Sequence, residues 1–173
     1  MKLTLRRVSL LEVETLRDFM EHTFRVAFEA TNDPVFFKQY CDEAFSLEQI
    51  VGELAAPQSE FWFAFLDDEL AAYLKLNFDQ HAVALQSEKT VQVERLYILA
   101  KFQNQRLGAR LLQLAEERAQ KVGAEWLWLS VWQQNPPALR FYERNGYEIF
   151  GTEIFEVGDD PQVDWLVKKR VPV

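Results

Sequence analysis

The middle of the chain carries a strand, a loop, a helix and a second strand in direct succession. Residues 90–99 form a nearly continuous apolar run with one acid, Glu94, which is typical of a buried strand. Apolar residues then recur at helical spacing over residues 107–122, and Gly123 predicts the end of that helix. Trp126–Trp132 predicts the next strand. Parallel strands of this kind diverge at their carboxyl ends and make a ligand crevice, so the loop after Leu99 is the first place to look for a functional site.

Shorter segments on both sides of this unit predict the rest of the fold. Strands are expected over residues 3–8, 60–66, 70–78, 147–157 and 163–171, with a turn at residues 158–161. Helices are expected after Ser9, over residues 36–44, from Ser46 to near Pro57, and from Asn135 through Tyr142. We therefore predict an α/β fold with a central mixed, mostly antiparallel sheet of about seven strands and helices on both faces. We expect residues 1–173 to form a single domain.

Composition excludes several classes of protein and of site. The 27 acidic and 19 basic residues give a net charge of −8 at pH 7, the opposite of the basic surface that binds nucleic acid. Cys41 is the only cysteine, which excludes a disulfide within the chain and a thiolate zinc site. His22 and His81 are the only histidines, so a His-rich metal site or a Ser-His-Asp triad is not expected.

No segment of the sequence predicts a membrane span. The longest uncharged stretch, residues 126–139, is interrupted by Pro136 and Pro137 and is too short to cross a bilayer. Near the N-terminus, charge returns at Glu12 and Glu14 before the apolar core of a signal peptide develops. We therefore expect a cytoplasmic protein with no membrane partner.

The segment between the strand and the helix of the middle unit has features of a phosphate-binding loop. It reads Gln103, Asn104, Gln105, Arg106, Leu107, Gly108 and Ala109. A helix start offers unpaired backbone N–H groups and a positive dipole end, both of which attract phosphate. Gly108 would let the backbone approach a ligand, and Arg106 adds a cation, although an ordinary helix start with one packing glycine explains the same residues. A Walker A loop and a GxGxxG dinucleotide loop are both excluded by the missing glycines and the missing Gly-Lys-Ser/Thr.

Three segments in order resemble the GCN5-related N-acetyltransferase (GNAT) family. Residues 93–98 resemble the family's fourth strand, and residues 103–108 resemble its pyrophosphate-binding loop. Asn135, Ala138, Tyr142 and Gly146 resemble its second cofactor segment. The resemblance runs nearly end to end. It implies the acyl-CoA N-acyltransferase fold, acetyl-CoA as co-substrate, an N-acetyltransferase activity and no metal.

Within the family, short segments resemble the PaiA-type polyamine acetyltransferase branch. They are Thr23-Phe24, Phe45-Ser46, Glu60-Phe61, residues 132–136, and Phe155 with Gly158, Asp159, Asp160, Gln162 and Asp164. Arg106 departs from the wider family, since most members have the first loop glycine there, whereas the PaiA-like branch often carries a basic residue.

Acyl transfer to an amine requires a proton acceptor and a proton donor. An alkylamine has a pKa of about 10 and must lose a proton before it attacks a thioester. Glu94 is the best candidate to relay that proton, directly or through water, while an ion pair with Arg95, Lys75 or another neighbouring cation is the alternative explanation. By resemblance, Tyr142 is the general acid for the departing coenzyme A thiolate, and the alternative is a core tyrosine beside Phe141.

The resemblance also implies a set of cofactor-binding residues. The strand contributes backbone groups that pair with the pantetheine arm and polarise the thioester carbonyl, and Asn135 contributes a side chain that otherwise only caps its helix. The full set is Leu96, Tyr97, Ile98, Gln103, Asn104, Gln105, Arg106, Leu107, Gly108, Ala109, Asn135 and Tyr142.

The expected acceptor is a small-molecule primary amine, a polyamine such as spermidine or spermine, acetylated in a ternary complex. The PaiA-like segments and the acidic charge support this expectation. The resemblance implies that one wall of the acceptor cleft is built by Phe28, Phe36, Phe37 and Tyr40 with Glu29, Asp33, Asp42 and Glu43. An amphipathic helix pair with a solvated acidic face is the alternative. The aromatic residues Phe61, Trp62, Phe63, Trp126, Trp128 and Trp132 are expected in the core and on strand surfaces.

Two other functions stay open. One is a protein or peptide N-acetyltransferase, and the other is a catalytically silent acyl-CoA-binding sensor module. The sequence favours catalysis because it carries both Glu94 and Tyr142. A monomer and a homodimer are both compatible with it.

Overall fold

The structure is a computed structural model, and it describes residues 1–78, 80, 82, 85, 89–157 and 160–172. Seven strands and five α-helices make up this part of the chain. The strands are β1 Leu3–Arg7, β2 Ser59–Leu66, β3 Glu69–Asn77, β4 Thr90–Ile98, β5 Trp126–Trp132, β6 Glu148–Val157 and β7 Asp160–Arg170. The helices are α1 Val13–Phe28, α2 Pro34–Ala44, α3 Leu47–Ala55, α4 Leu107–Lys121 and α5 Pro136–Arg144.

All seven strands form one sheet in the order β1-β2-β3-β4-β5-β7-β6. Every neighbouring pair is antiparallel except β4 and β5, which run parallel and are connected by α4. The predicted mixed, mostly antiparallel sheet is therefore confirmed.

Helices cover both faces of the sheet, as predicted. On one face α4 packs its apolar stripe against β3, β4 and β5, with a core that includes Leu74, Val91, Leu107, Leu111, Leu112 and Leu127. On the other face α1, α2 and α3 pack over β2 and β3, with a core that includes Leu16, Met20, Phe37, Ile50, Phe61 and Phe63. Burial of each such side chain stabilises the fold by about 1.5–3 kcal/mol.

The parallel strands β4 and β5 pair only near their first residues. Thr90, Val91 and Gln92 lie opposite residues 126–128, and the two strands have no further paired residues in the part of the chain that is described. Beyond Gln92 the strands diverge, so the sheet opens at their carboxyl ends. The crevice expected from the strand-helix-strand unit is therefore present.

Local sequence signals set the ends of the helices. The side chains of Ser46 and Asn135 accept hydrogen bonds from backbone N–H groups in the first turns of α3 and α5, both at 3.3 Å. Gly123 and Gly146 follow α4 and α5 with φ of +70° and +87°, the left-handed conformation that favours glycine.

Some predicted boundaries differ from those observed. The helix expected after Ser9 begins as a 3-10 turn at Leu10–Glu12 and continues as α1. The last strand, predicted over residues 163–171, begins earlier, at Asp160. The predicted turn between the last two strands includes Gly158 and Asp159, which lie outside the described residues, as does His81.

The described residues contain neither a candidate membrane-spanning helix nor a candidate metal site. None of their helices combines the length and the apolar character that a membrane span requires. No group of three or more His, Cys, Asp or Glu side chains among them is arranged to hold a metal ion.

Candidate active site

A cavity of about 280 Å³ lies at the place where β4 and β5 diverge. Strand β4, strand β5 and the hairpin β6–β7 supply its walls, together with helices α1, α2 and α5. The lining residues that bear on function are Phe28, Tyr40, Glu94, Arg95, Leu96, Tyr97, Trp132, Asn135, Tyr142, Glu153, Phe155 and Asp164. The cavity therefore brings together Glu94, Leu96, Tyr97, Asn135 and Tyr142, which were predicted from separate parts of the sequence.

The edge of β4 that faces β5 is free of strand pairing along the cavity. Leu96, Tyr97 and Ile98 pair with β3 on the other edge, but in the described structure no strand pairs with them on the β5 side. Their backbone N–H and C=O groups on that side are available to an extended ligand, which could add to the sheet like a strand.

The loop after β4 leads into α4 through two residues in the left-handed region. Asn104 and Arg106 have φ of +61° and +60°. This conformation favours glycine, so it explains why most of the resembling family has glycine where this chain has Arg106. No side chain caps α4, and its first turn carries no acidic residue. The first backbone N–H groups of α4 are therefore left for an external acceptor.

Gly108 has a packing role that the sequence could not assign. A Cβ atom at this position would lie 2.8 Å from the tip of the Phe141 ring and 3.3 Å from the side chain of Ile98. Its φ is not in the positive region. The glycine lets α4 approach α5 and β4 closely. This is the packing role that the sequence offered as the alternative to close approach of a ligand. Residues 103–109 follow the cavity-lining strand β4 in the sequence, but none of them lines the cavity.

Glu94 sits at a bulge of β4 and is paired with cations. Lys75 lies opposite Arg95 and Leu76 lies opposite Val93, so Glu94 has no partner residue on β3. Its carboxylate lies 2.6 Å from the Lys75 ammonium and 3.3 Å from the Arg95 guanidinium. The structural ion pair considered from the sequence is therefore present, and Glu94 also lines the cavity.

A second carboxylate, Glu53 of α3, binds the same two cations. It lies 2.7 Å from Lys75 and 2.9 Å from Arg95. Burial raises the pKa of Glu53, but Arg95 and Lys75 outweigh it and lower that pKa below its usual value. The four side chains Glu53, Lys75, Glu94 and Arg95 form a balanced charge network, of which only Glu94 and Arg95 line the cavity.

Tyr142 on α5 lines the same cavity. Its ring packs against Phe141 and Tyr147, with centroids 5.2 Å and 5.7 Å away. Burial raises the pKa of Tyr142 to about 12, so the hydroxyl holds its proton at neutral pH. No described residue forms a hydrogen bond with that hydroxyl. The packing of the ring against Phe141 and Tyr147 is the contact that a core tyrosine would make.

The acids that were predicted for the acceptor wall lie elsewhere. Glu29 pairs with Arg25, Asp42 pairs with Lys38, and Asp33 caps α2 by accepting from the Val35 backbone N–H at 2.9 Å. Neither these acids nor Glu43, Phe36 and Phe37 line the cavity, whereas Phe28 and Tyr40 do. The solvated acidic face is therefore the better description of residues 29–43.

Three residues of the cavity wall were given no role in the site from the sequence, although Trp132 and Asp164 lie in the PaiA-like segments. Trp132, expected in the core or on a strand surface, lines the cavity and packs edge-on against Phe28 at 6.0 Å. Glu153 and Asp164 line it as well. Asp164 is an acid within an apolar strand segment, the same signal that drew attention to Glu94.

Comparison with known proteins finds acetyltransferases of one family. The acetyltransferase (GNAT) family model matches residues 14–147. The chain is 35% identical over 149 residues to the protein named "Uncharacterized N-acetyltransferase in pepI 3'region" of Lactobacillus delbrueckii subsp. lactis, covering 86% of each chain. It is 25% identical over 157 residues to a protein named spermidine N(1)-acetyltransferase from Thermoplasma acidophilum, covering 88% of this chain and 92% of the relative.

Solved structures share the fold. The PaiA N-acetyltransferase of Thermoplasma acidophilum, determined in complex with coenzyme A, is similar with a TM-score of 0.77. The match covers 98% of this chain and 99% of that chain at 22% sequence identity.

Proposed function

The chain belongs to the GNAT family of acetyltransferases and is an acetyl-CoA-dependent N-acetyltransferase, and on this premise we propose that its acceptor is a small polyamine such as spermidine or spermine. One observation carries the proposal. The cavity at the open end of the sheet is lined by three carboxylates, Glu94, Glu153 and Asp164, and by one cation, Arg95. Such an excess of negative charge attracts a multiply charged amine.

The aromatic character of the cavity supports the same class of acceptor. Phe28, Tyr97, Trp132 and Phe155 line it together with the carboxylates. Aromatic faces attract ammonium groups and also accept the methylene chain between them. The 25% identical relative named as a spermidine N(1)-acetyltransferase adds weak support for a polyamine.

On the co-substrate side, the loop of residues 103–109 is proposed to bind the pyrophosphate of acetyl-CoA. The uncapped N-terminus of α4 and the side chain of Arg106 supply N–H donors and a positive charge. The free edge of β4 at Leu96, Tyr97 and Ile98 is proposed to pair with the pantetheine arm, beside the Asn135 side chain.

Two side chains are proposed to move protons. Glu94 would accept the proton that the attacking amine must lose, and its pairing with Lys75 fixes its position at the β4 bulge. Tyr142, which keeps its proton at neutral pH, would donate that proton to the departing thiolate. Acetyl-CoA supplies the activated acetyl group, and the amine attacks it directly in a ternary complex.

Thiol release measured across a panel of acceptors tests the proposal. Spermidine, spermine, a monoamine and a peptide with a free N-terminus should be compared at saturating acetyl-CoA. We expect the highest kcat/KM for spermidine or spermine. More efficient acetylation of the peptide at low ionic strength would replace the polyamine with a protein acceptor. Binding of acetyl-CoA without release of thiol for any acceptor would identify a silent acyl-CoA-binding module.

The co-substrate site is tested separately by calorimetry. Arg106→Glu should raise the Kd for coenzyme A by about tenfold or more, since it reverses a charge at the N-terminus of α4. Lys121→Glu makes the same charge change at the other end of the same helix and should leave that Kd unchanged. Equal effects of the two substitutions would contradict the assignment of the loop.

A further inference from the structure

Asp164 occupies a central position on the wall of the cavity opposite β4. It lies on β7 directly across from Trp132 on β5 and from Glu153 on β6. Residues in register on neighbouring strands point to the same face of a sheet, and all three line the cavity. Asp164 and Glu153 therefore form a pair of carboxylates beside an aromatic ring.

Asp164 is largely buried at the cavity wall, and its carboxylate has no protein partner in the described structure. Only 8% of the residue is exposed, and no described side chain or backbone group forms a hydrogen bond or an ion pair with it. Glu153 accepts a hydrogen bond from the Ser130 hydroxyl but likewise has no cation within ion-pair distance in the described structure. Glu94, on the other wall, differs because Lys75 and Arg95 neutralise it.

An ionised carboxylate that is largely buried and has no cation beside it lowers the free energy of unfolding. Burial, together with the nearby Glu153 carboxylate, raises the pKa of Asp164 to about 6. At neutral pH the side chain is therefore mostly ionised and lacks a counter-charge. Proteins retain such unfavourable groups where a ligand supplies the missing partner.

The surroundings of the pair specify the ligand. Trp132, Phe28 and Phe155 line the same cavity, and aromatic rings beside carboxylates suit an aliphatic ammonium group. The distance between the two walls follows from the sheet, because β5 separates β4 from β7. Adjacent strands are about 4.8 Å apart, so the backbones of Glu94 and Asp164 are separated by two such spacings, which widen further where β4 and β5 diverge. A ligand that reaches both walls needs two cationic nitrogens joined by a short chain.

We propose that Asp164, with Glu153 beside it, binds the non-reacting ammonium group of a diamine or polyamine acceptor and makes the enzyme select such amines over monoamines. This inference rests on the proposed function, because it assigns one subsite of that acceptor. Asp164 is a specificity-determining residue in this scheme, while the reacting nitrogen lies at the β4 wall near Glu94.

A matched pair of amines isolates the contribution of the distal charge. n-Pentylamine has a methyl group where 1,4-diaminobutane has its second amino group, and the two molecules are otherwise alike. For the wild-type enzyme we expect kcat/KM to be about tenfold or more higher for the diamine, equivalent to about 1.4 kcal/mol. Asp164→Asn should remove this preference by raising KM for the diamine, and should lower kcat/KM for n-pentylamine much less than kcat/KM for the diamine.

Glu156→Gln is the control, because it makes the same change in charge on an exposed residue of β6 that does not line the cavity. It should keep the wild-type preference. An equal loss for both amines in Asp164→Asn, or an unchanged preference for the diamine, would overturn the inference.

A binding measurement separates this inference from the proposed function. Calorimetric titration of 1,4-diaminobutane into the protein saturated with coenzyme A should show a Kd about tenfold higher for Asp164→Asn than for the wild type. If the wild type fails to acetylate spermidine, the proposed function fails, and the titration still decides the role of Asp164. Equal Kd values for the two proteins would refute that role even if spermidine is a substrate.

Discussion

The ammonium nitrogen of Lys75 lies 2.6 Å from the carboxylate of Glu94. Lys75 is only 5% exposed at its side chain, and it contacts Glu53 as well. The acid that sequence reasoning selected for catalysis is thus also part of a structural ion-pair network. Since Glu53 and Glu94 bind the same cations but only Glu94 reaches the cavity, comparison of the two separates structure from catalysis.

Glu94→Gln and Glu53→Gln should have similar effects on stability and different effects on turnover. Each removes a carboxylate charge that pairs with both Lys75 and Arg95 and should cost about 2 kcal/mol of the free energy of unfolding. Glu94→Gln should in addition lower kcat/KM by about tenfold or more, mainly on the low-pH limb, where the amine must lose a proton. Urea unfolding and pH–rate profiles of both variants provide the measurement. Equal losses of turnover would assign Glu94 a purely structural role.

Tyr142→Phe should lower turnover by about 10²-fold while leaving the fold intact, because it removes only the proton donor. Tyr147→Phe is the matched control on the adjacent ring. The Tyr147 hydroxyl is buried without a hydrogen-bond partner, so its removal should raise the free energy of unfolding by about 1 kcal/mol and leave kcat unchanged. Thiol-release assays and thermal unfolding of both variants check this. Wild-type turnover in Tyr142→Phe would show that the ring serves only packing.

The sequence predicted the sheet and its helices because local signals agree with the final structure. The apolar run of β4, the cap at Asn135 and the glycine stops at Gly123 and Gly146 each determine backbone structure over a few residues. The open end of the sheet also followed, since a strand-helix-strand unit requires parallel neighbours. For this reason Glu94, Leu96, Tyr97, Asn135 and Tyr142, which were predicted from separate segments, come together at one cavity.

The acceptor wall could not be derived in the same way. Whether Asp164 faces Trp132 and Glu153 depends on the pairing of β7 with two other strands, and register is a tertiary property. Asp33 and Asp42 were predicted for that wall because they lie where the resembling family builds it, yet they are used in a helix cap and an ion pair. The packing of Gly108 against Phe141 likewise joins two helices far apart in sequence.

Gly108→Val should destabilise the protein because its side chain would overlap the Phe141 ring. We expect a loss of about 2 kcal/mol in the free energy of unfolding, and Phe141→Leu in the same chain should recover part of it by making room. Urea unfolding of the two single variants and the double variant measures this coupling. Additive losses would contradict the contact. If the double variant regains stability but still binds coenzyme A weakly, the glycine is also required for approach of the ligand.

Asp164→Asn should stabilise the protein at neutral pH and have little effect in acid. The pKa of Asp164 rises from 3.8 to about 6 on folding, first through burial and second through Glu153. The folded state therefore binds the proton more tightly than the unfolded state, and stability falls as the pH rises through this window. A shift of about two units corresponds to about 3 kcal/mol, which the ionised carboxylate costs the wild type above its folded pKa.

Thermal unfolding of Asp164→Asn and the wild type, measured from about pH 4 to about pH 7.5, should show a difference in Tm that grows with pH. Glu156→Gln, which changes an exposed carboxylate, should show no such growth. Saturating 1,4-diaminobutane should narrow the gap at neutral pH by stabilising the wild type more than the variant, because the ammonium group of the ligand supplies the missing counter-charge. A difference in Tm that is independent of pH would mean that folding does not change the pKa of Asp164, and it would contradict the burial of an unpaired carboxylate.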